Sequence, residues 1–281
     1  MISYKIQTKD HLSLHVQQWN ETEKAKGTLC IIHGLGEHQN RYTHVAKFYA
    51  NNGFQVFSYD QRGHGKSEGK RGHTPGLHYN LDDLERVLKS LPNHNLFLYG
   101  HSFGGNVLIN FLLRKKPNFI RGAVISSAWL RLVKKPKYLE FGIAKLMHKI
   151  MPSFTQNNKL SSVDLSNDRQ VRLEYDNDPL THNQISLRLF LDFYLAGKWA
   201  LKNADKLSVK TLMLHGADDL LVCKSGTEQF AHKNTKYVEY TIFEDTKHEP
   251  HNDTKQADVF EYTLAWLEKI ISTEASHSNL K

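Results

Sequence analysis

An α/β architecture with a mostly parallel central sheet is what this 281-residue chain predicts, on three observations. Short, nearly continuous apolar runs recur along it, helical patterns alternate with them, and the rhythm breaks once for a long helical stretch before it resumes. Apolar runs of roughly 4–6 residues suit strands buried on both faces of a parallel sheet. Strand–helix alternation then implies right-handed crossovers, with helices on the sheet faces.

Taken in order, residues 2–7 and 12–19 alternate apolar and polar positions, as half-buried antiparallel strands do. The buried strands follow at 28–33 (TLCIIH), 54–59 (FQVFSY), 96–99 (LFLY), 122–126 (GAVIS), 211–215 (TLMLH) and 237–243. Helical patterns at 42–51, 81–91 and 103–115 lie between the earlier ones. From 131 to 205 no buried strand is readable. Leu139, Ile143, Leu146, Met147 and Ile150 recur there at helix spacing until Met151-Pro152, and residues 185–199 are rich in Leu, Phe and Tyr. This reads as a helical insertion after the sixth strand, splitting the sheet domain into 1–130 and 206–281. Residues 257–271 form a closing amphipathic helix, and the polar tail 273–281 is expected to fray.

Composition narrows the function classes. Hydrophobic residues make up 40% and charged ones 23%, enough apolar surface to exclude a disordered chain. No apolar run reaches the ~18–20 residues of a membrane span, and residues 1–10 lack a signal-peptide core. Cys30 and Cys223 cannot make a disulfide framework, so a cytoplasmic, reducing compartment is expected. The formal charge of +8 is diffuse. Its densest cluster is Arg131, Lys134, Lys135 and Lys137, with no nucleic-acid-binding signature beside it, so nucleic acid is not the expected partner. Diffuse basicity serves solubility first and attraction to anionic membranes second.

The most informative segment is Gly100-His101-Ser102-Phe103-Gly104, a Gly-x-Ser-x-Gly between a strand and a helix. A serine at such a turn takes a strained backbone that lifts its hydroxyl above the sheet edge. It needs a base to take its proton and an acid to orient the base, in the chain order Ser, Asp, His. The strand at 211–215 runs into Gly216-Ala217-Asp218-Asp219, and the last strand runs into Glu244-Asp245-Thr246-Lys247-His248. Asp218, two residues after Gly216, is the preferred acid of the doublet, and His248 is preferred to His251 as base because it directly follows the last strand. One oxyanion amide is expected from Phe103 and a second from the loop 33–38. His248-Glu249-Pro250-His251 misses the His-Glu-x-x-His zinc spacing by one residue, and the glycines at 34–36 and 63–65 fail the phosphate-loop patterns. Neither a metal nor a cofactor is expected.

Three motifs occur together: His33-Gly34-Leu35-Gly36-Glu37-His38…Arg41-Tyr42, Asp60-Gln61-Arg62-Gly63-His64-Gly65-Lys66-Ser67-Glu68-Gly69, and Gly100-His101-Ser102-Phe103-Gly104-Gly105. With Tyr175…Asp178-Pro179-Leu180, they make the chain resemble the monoacylglycerol lipase/lysophospholipase group of α/β-hydrolases from about residue 10 to 270. The resemblance implies a triad of Ser102, Asp218 and His248, and oxyanion amides at Leu35 and Phe103. It gives Asp60, Arg62 and His64 a structural part, and makes residues 131–205 a helical cap. The expected activity is hydrolysis of a single-chain acyl glycerol through an acyl-enzyme. A lysophospholipase and a short-chain carboxylesterase are the neighbouring readings, and an inactive binding protein of the same fold is the alternative outside enzymes. Phe141, Phe190, Phe193, Tyr194, Leu195 and Trp199 join the apolar residues of the insertion, to pack it or to line an acyl tunnel. Leu146 and Met147 beside Lys145 and Lys149 suit a transient contact with a membrane surface.

Overall fold

The computed structural model describes residues 1–20 and 24–278, apart from the side chains of 138–140, 143 and 274–278. The first six strands are β1 (Ile2–Gln7), β2 (Ser13–Gln18), β3 (Gly27–Ile32), β4 (Phe54–Tyr59), β5 (Leu96–His101) and β6 (Ile120–Ser126). Between them come α1 (Thr43–Asn51), α2 (Leu77–Lys89) and α3 (Ser102–Lys115). The insertion holds α4 (Tyr138–Ile150), β7 (Thr155–Asn157), α5 (Ser162–Leu165), α6 (Arg169–Asn177), β8 (Gln184–Ser186) and α7 (Leu187–Lys202). The chain then adds β9 (Thr211–Gly216), α8 (Lys224–His232), β10 (Val238–Phe243) and α9 (Gln256–Ser278).

Among the described residues, eight strands form one sheet in the order β1-β2-β4-β3-β5-β6-β9-β10. The β1–β2 and β2–β4 pairs are antiparallel and all later pairs parallel. Alternation along each strand feeds two cores. Cys30, Ile32, Leu96 and Leu98 meet α2 and α3 on one face, while Leu29, Ile31, Phe97 and Tyr99 meet α1 and α9 on the other. The strand order reverses beside β3, because β4 lies on one side of it and β5 on the other. The loops leaving β3 and β5 therefore diverge and open a crevice at the carboxyl edge, where such sheets carry their sites.

The insertion differs from its sequence reading in one respect. β7 and β8 pair as a small antiparallel hairpin, too short for any periodicity to announce it. α7 packs onto α3, as the apolar residues of 185–199 lead one to expect, with the Phe193 and Phe103 rings edge-on at 4.5 Å. Gly197 is needed there, since a Cβ would strike the carbonyl oxygens of Trp129 and Leu130. α4 is the outlying piece: Leu146 is 63% and Ile150 68% exposed. The side chains of Leu139 and Ile143 lie outside the described set. α9 runs seven residues past the expected end at 271, to Ser278, so the part of the tail before 279 is helical; residues 279–281 lie outside the description. No described helix is long and apolar enough to cross a membrane.

A buried ion-pair cluster braces the turn after β4. Arg62 donates to both oxygens of Asp83 (2.6 and 2.8 Å) and to both of Asp10 (3.0 Å each). Asp60 accepts from the amides of Gln39 (2.9 Å) and Lys66 (2.8 Å), tying this turn to the loop after β3. His64 lies against Phe103, the residue after the serine. Burial pushes the Asp83 carboxyl up even with Arg62 beside it. Removing the guanidinium leaves a buried acid without its partner. Arg62→Met should therefore lower unfolding free energy by about 3–5 kcal/mol in urea titration, and Arg62→Met/Asp83→Leu should recover much of that loss.

Candidate active site

Ser102 opens α3 with φ +50°, a left-handed backbone that costs a serine ~1–3 kcal/mol and persists only where its surroundings enforce it. The enforcement is local. A Cβ at Gly104 would collide with the carbonyl oxygens of Ile32 and His33, so the first turn of α3 sits directly on the end of β3. That contact sets the serine beside the loop 33–38.

The base and acid come from the next two strand ends. His248 Nε2 lies 2.9 Å from Ser102 Oγ, and His248 Nδ1 lies 2.7 Å from Asp219 Oδ2. The acid is thus Asp219, and the expectation of Asp218 is corrected. Asp218 is exposed, and its amide donates to the Thr246 carbonyl (3.0 Å). Ala217 is pinned in the same way to Phe243 (2.8 Å), which turns the Asp218 side chain out and brings the next one in. Asp219 is then fixed by its other oxygen, Oδ1, which accepts from the amides of Leu221 (2.8 Å) and Val222 (2.9 Å). This is an Asx turn, and the readable signal for it was an Asp three residues before the apolar Val222.

Electrostatics agree with this wiring. Burial works against an ionised Asp219. The charge on His248, with hydrogen bonds from His215 and His248, outweighs that cost and holds the carboxyl well below its usual range. Burial alone would lower the His248 pKa, but Asp219 raises it above the ordinary value of 6.5. With Asp219 ionised, Nδ1 of His248 carries its proton and Nε2 is free to accept from Ser102. His251, the competing base, lies behind the site. It stacks on Tyr42 at 4.7 Å and is pushed by burial to a pKa of about 3.

The loop after β3 supplies the remaining polar groups. Gly34 N–H is taken by Glu37 Oε1 at 2.5 Å, which leaves Leu35 as the next residue of the loop. Leu35 lines the same cavity as Ser102 and His248. Phe103 N–H belongs to the first turn of α3, where helix amides have no intrahelical acceptor. The cavity measures about 250 Å³. Trp129, Leu132, Leu160, Leu165, Ile185, Phe190, Leu221 and Val222 give it a largely apolar wall. Its polar lining comes from Glu37 and Glu249, which both meet Arg41, from Tyr175, and from Gln156, Asn157, Asn158 and Lys159. Arg41 donates to Glu37 (2.5 Å) and twice to Glu249 (2.8 and 2.7 Å), and lies over the Tyr175 ring at 4.8 Å. Sequence reasoning missed this clamp because its members stand 208 residues apart. Glu37, His101 and Glu249 come within 4.8 Å of one another, the spacing of a metal site. The donor set does not fit one, since every oxygen of both carboxylates already accepts from Arg41, Tyr42, Gly34 or Asn252.

Comparison with known proteins agrees with this geometry. A family profile described as Serine aminopeptidase, S33 matches residues 23–255. An uncharacterized abhydrolase domain-containing protein of Dictyostelium discoideum is 32% identical over 284 residues. The match covers 96% of this chain but only 29% of that protein's length. A putative monoglyceride lipase of Schizosaccharomyces pombe is 27% identical, over 90% of this chain and 71% of its own length. Among solved structures, the monoacylglycerol lipase of Paleococcus ferrophilus superposes with a TM-score of 0.83 at 30% identity, covering 92% of this chain and 98% of that one.

The acid assignment is open to direct measurement. Asp219→Asn should lower kcat on an ester substrate by ~10⁴-fold, because the amide favours the wrong imidazole tautomer, whereas Asp218→Asn should stay within about twofold of wild type. In wild type, kcat/KM should rise with pH through an inflection above 6.5, since His248 is a base only when neutral and Asp219 raises its pKa. An inflection below 6.5 would mean that the carboxylate is not coupled to the base.

Proposed function

The chain belongs to the α/β-hydrolase family described as Serine aminopeptidase, S33, and from that premise we propose that it is a carboxylic ester hydrolase cleaving single-chain acyl glycerols, with Ser102, His248 and Asp219 as its triad. The observation that carries this reading is the continuous hydrogen-bonded line from Asp219 through His248 to Ser102, opening into a cavity lined by apolar and polar side chains. Ser102 Oγ attacks the ester carbonyl carbon as its proton passes to His248 Nε2, and the carbonyl electron pair moves onto oxygen. The amides of Leu35 and Phe103 receive that oxyanion. Collapse expels the glycerol oxygen, which takes the proton from His248 and leaves an acyl-serine. Water then repeats the sequence, and the fatty acid departs.

The two kinds of lining match the two halves of such a substrate. An acyl chain gains by leaving water for the walls of Trp129, Leu132, Ile185 and Phe190. The polar part of the lining holds two carboxylates, both paired with Arg41, and Lys159. These groups, with Asn157 and Asn158, offer hydrogen-bonding partners to the hydroxyls of a glycerol head group. Residues 131–205, with α4 outermost, serve as the cap. Leu146, Ile150, Met151 and Phe154 are exposed there beside Lys145 and Lys149, a pattern that rests at a lipid interface with the lysines at head-group level.

A panel of monoacylglycerols, lysophospholipids and nitrophenyl esters tests the substrate class, and a serine-reactive phosphonate tests the nucleophile. The probe should label wild type and not Ser102→Ala; labelling that persists in the variant would remove Ser102 as the nucleophile. Lengthening the acyl chain should raise kcat/KM until the cavity is filled. Leu146→Ser/Met147→Ser should lower activity on long-chain monoacylglycerol micelles by about tenfold, the equivalent of ~1.4 kcal/mol of lost contact, and leave a soluble butyryl ester unaffected. Equal loss on both substrates would make these residues part of the site's scaffold.

A further inference from the structure

The densest basic run of the sequence has no part in that chemistry. Its Arg131 and Lys135 face α7 across a second cavity of about 920 Å³, which Lys198 and Lys202 line from the helix side. No lining residue is acidic. Arg131 is held by neutral partners, donating to Ser225 Oγ at 2.9 Å and to Gln229 Oε1. Lys198 lies over the Tyr194 ring at 4.5 Å, and Lys135 and Lys202 are exposed. None of the four pairs with a carboxylate among the described residues, whereas Lys26, Lys115 and Lys269 elsewhere on the surface each do. Beneath the cations the groove is apolar, with Leu130, Leu132, Trp199 and Leu201. A cationic rim over an apolar floor is complementary to an amphiphile with an anionic head.

The groove also adjoins the active site. Leu132 lines both cavities. Phe190, in the catalytic cavity, stacks on Tyr194, in the groove, at 5.8 Å and 17°. Phe190, Tyr194, Lys198 and Lys202 follow one another at four-residue spacing, so α7 presents a single stripe, apolar at the catalytic end and cationic ~18 Å away. We propose that this groove is a second lipid site that takes the fatty-acid anion, its carboxylate among the four cations and its chain on the apolar floor. Identifying that anion as the reaction product rests on the hydrolase reading above. The site holds the released acid outside the catalytic cavity.

Oleate titrated into protein whose Ser102 carries a long-chain phosphonate should show one saturable site, since the catalytic cavity is then filled. Lys198→Glu/Lys202→Glu should weaken that binding at least tenfold while its turnover of a butyryl ester matches wild type, which shows that it is folded. Affinity should also fall as salt rises, because exposed charges are screened over ~10 Å at 0.1 M. Oleyl alcohol, with the same chain and no charge, should bind more weakly and respond to neither change. No oleate bound to the blocked protein, or binding that the double variant leaves unchanged, overturns the groove. If Ser102 does not react, the same comparison on unmodified protein decides it by the charge-dependent component alone. Charge-dependent oleate binding without monoacylglycerol cleavage would remove the product assignment and keep the site; cleavage without such binding would remove the site and keep the hydrolase.

Discussion

The closeness of α3 to the end of β3 is the constraint on which the active site depends. Gly104 lies against the carbonyls of Ile32 and His33 with no room for a Cβ, and that contact holds Ser102 at φ +50°. It also fixes the distance between the nucleophile and the loop that carries Leu35. One backbone approach thus sets the Ser102 hydroxyl and the first amides of α3 beside that loop, before any substrate binds. Preorganisation of this kind requires no movement at the moment of reaction.

Charge around that approach is sorted by burial and partner. His248 and His215 are both buried against the ionised Asp219, and the pKa of His248 is raised. His33, His64, His101 and His251 are equally buried without such a partner at their rings, and burial lowers all four. They act as neutral packing: His64 against Phe103, and His101 between His248 and His251. Among His248 and these four, His248 is the one whose ring meets a carboxylate and whose pKa is raised. On the polar side the Glu37–Arg41–Glu249 clamp joins the loop after β3 to the loop after β10. The first of these loops is also tied to the insertion, because the amide of His182 donates to the carbonyl of Gly36 at 2.8 Å.

α7 connects the catalytic cavity to the outer surface. Its Phe193 face is buried on α3, its Phe190 enters the catalytic cavity, and its lysines reach the basic groove. A helix that serves packing, substrate contact and surface charge together cannot rotate to improve one without harming the others. That coupling explains why its apolar residues divide so sharply, with Phe193 fully buried and Leu195 48% exposed two positions later.

Local chemistry was legible in the sequence. The Gly-x-Ser-x-Gly turn located Ser102 because only a glycine-flanked turn between strand and helix permits that backbone, and the position after the last strand located His248. The buried strands were readable because a parallel sheet covered on both faces demands nearly continuous apolar runs, as at residues 28–33 and 54–59. What only the tertiary structure decided were pairings between distant segments. Asp218 and Asp219 are the same residue type in adjacent positions, and the choice between them came from the carbonyls of Phe243 and Thr246, which accept from the amides of Ala217 and Asp218. The Glu249–Arg41 pair spans 208 residues and leaves no periodicity to read. The basic run at 131–137 reads as diffuse solubility until α7 brings Lys198 and Lys202 beside it. Periodicity reports which face of an element is buried; which other element covers that face is set by the packing of the whole chain.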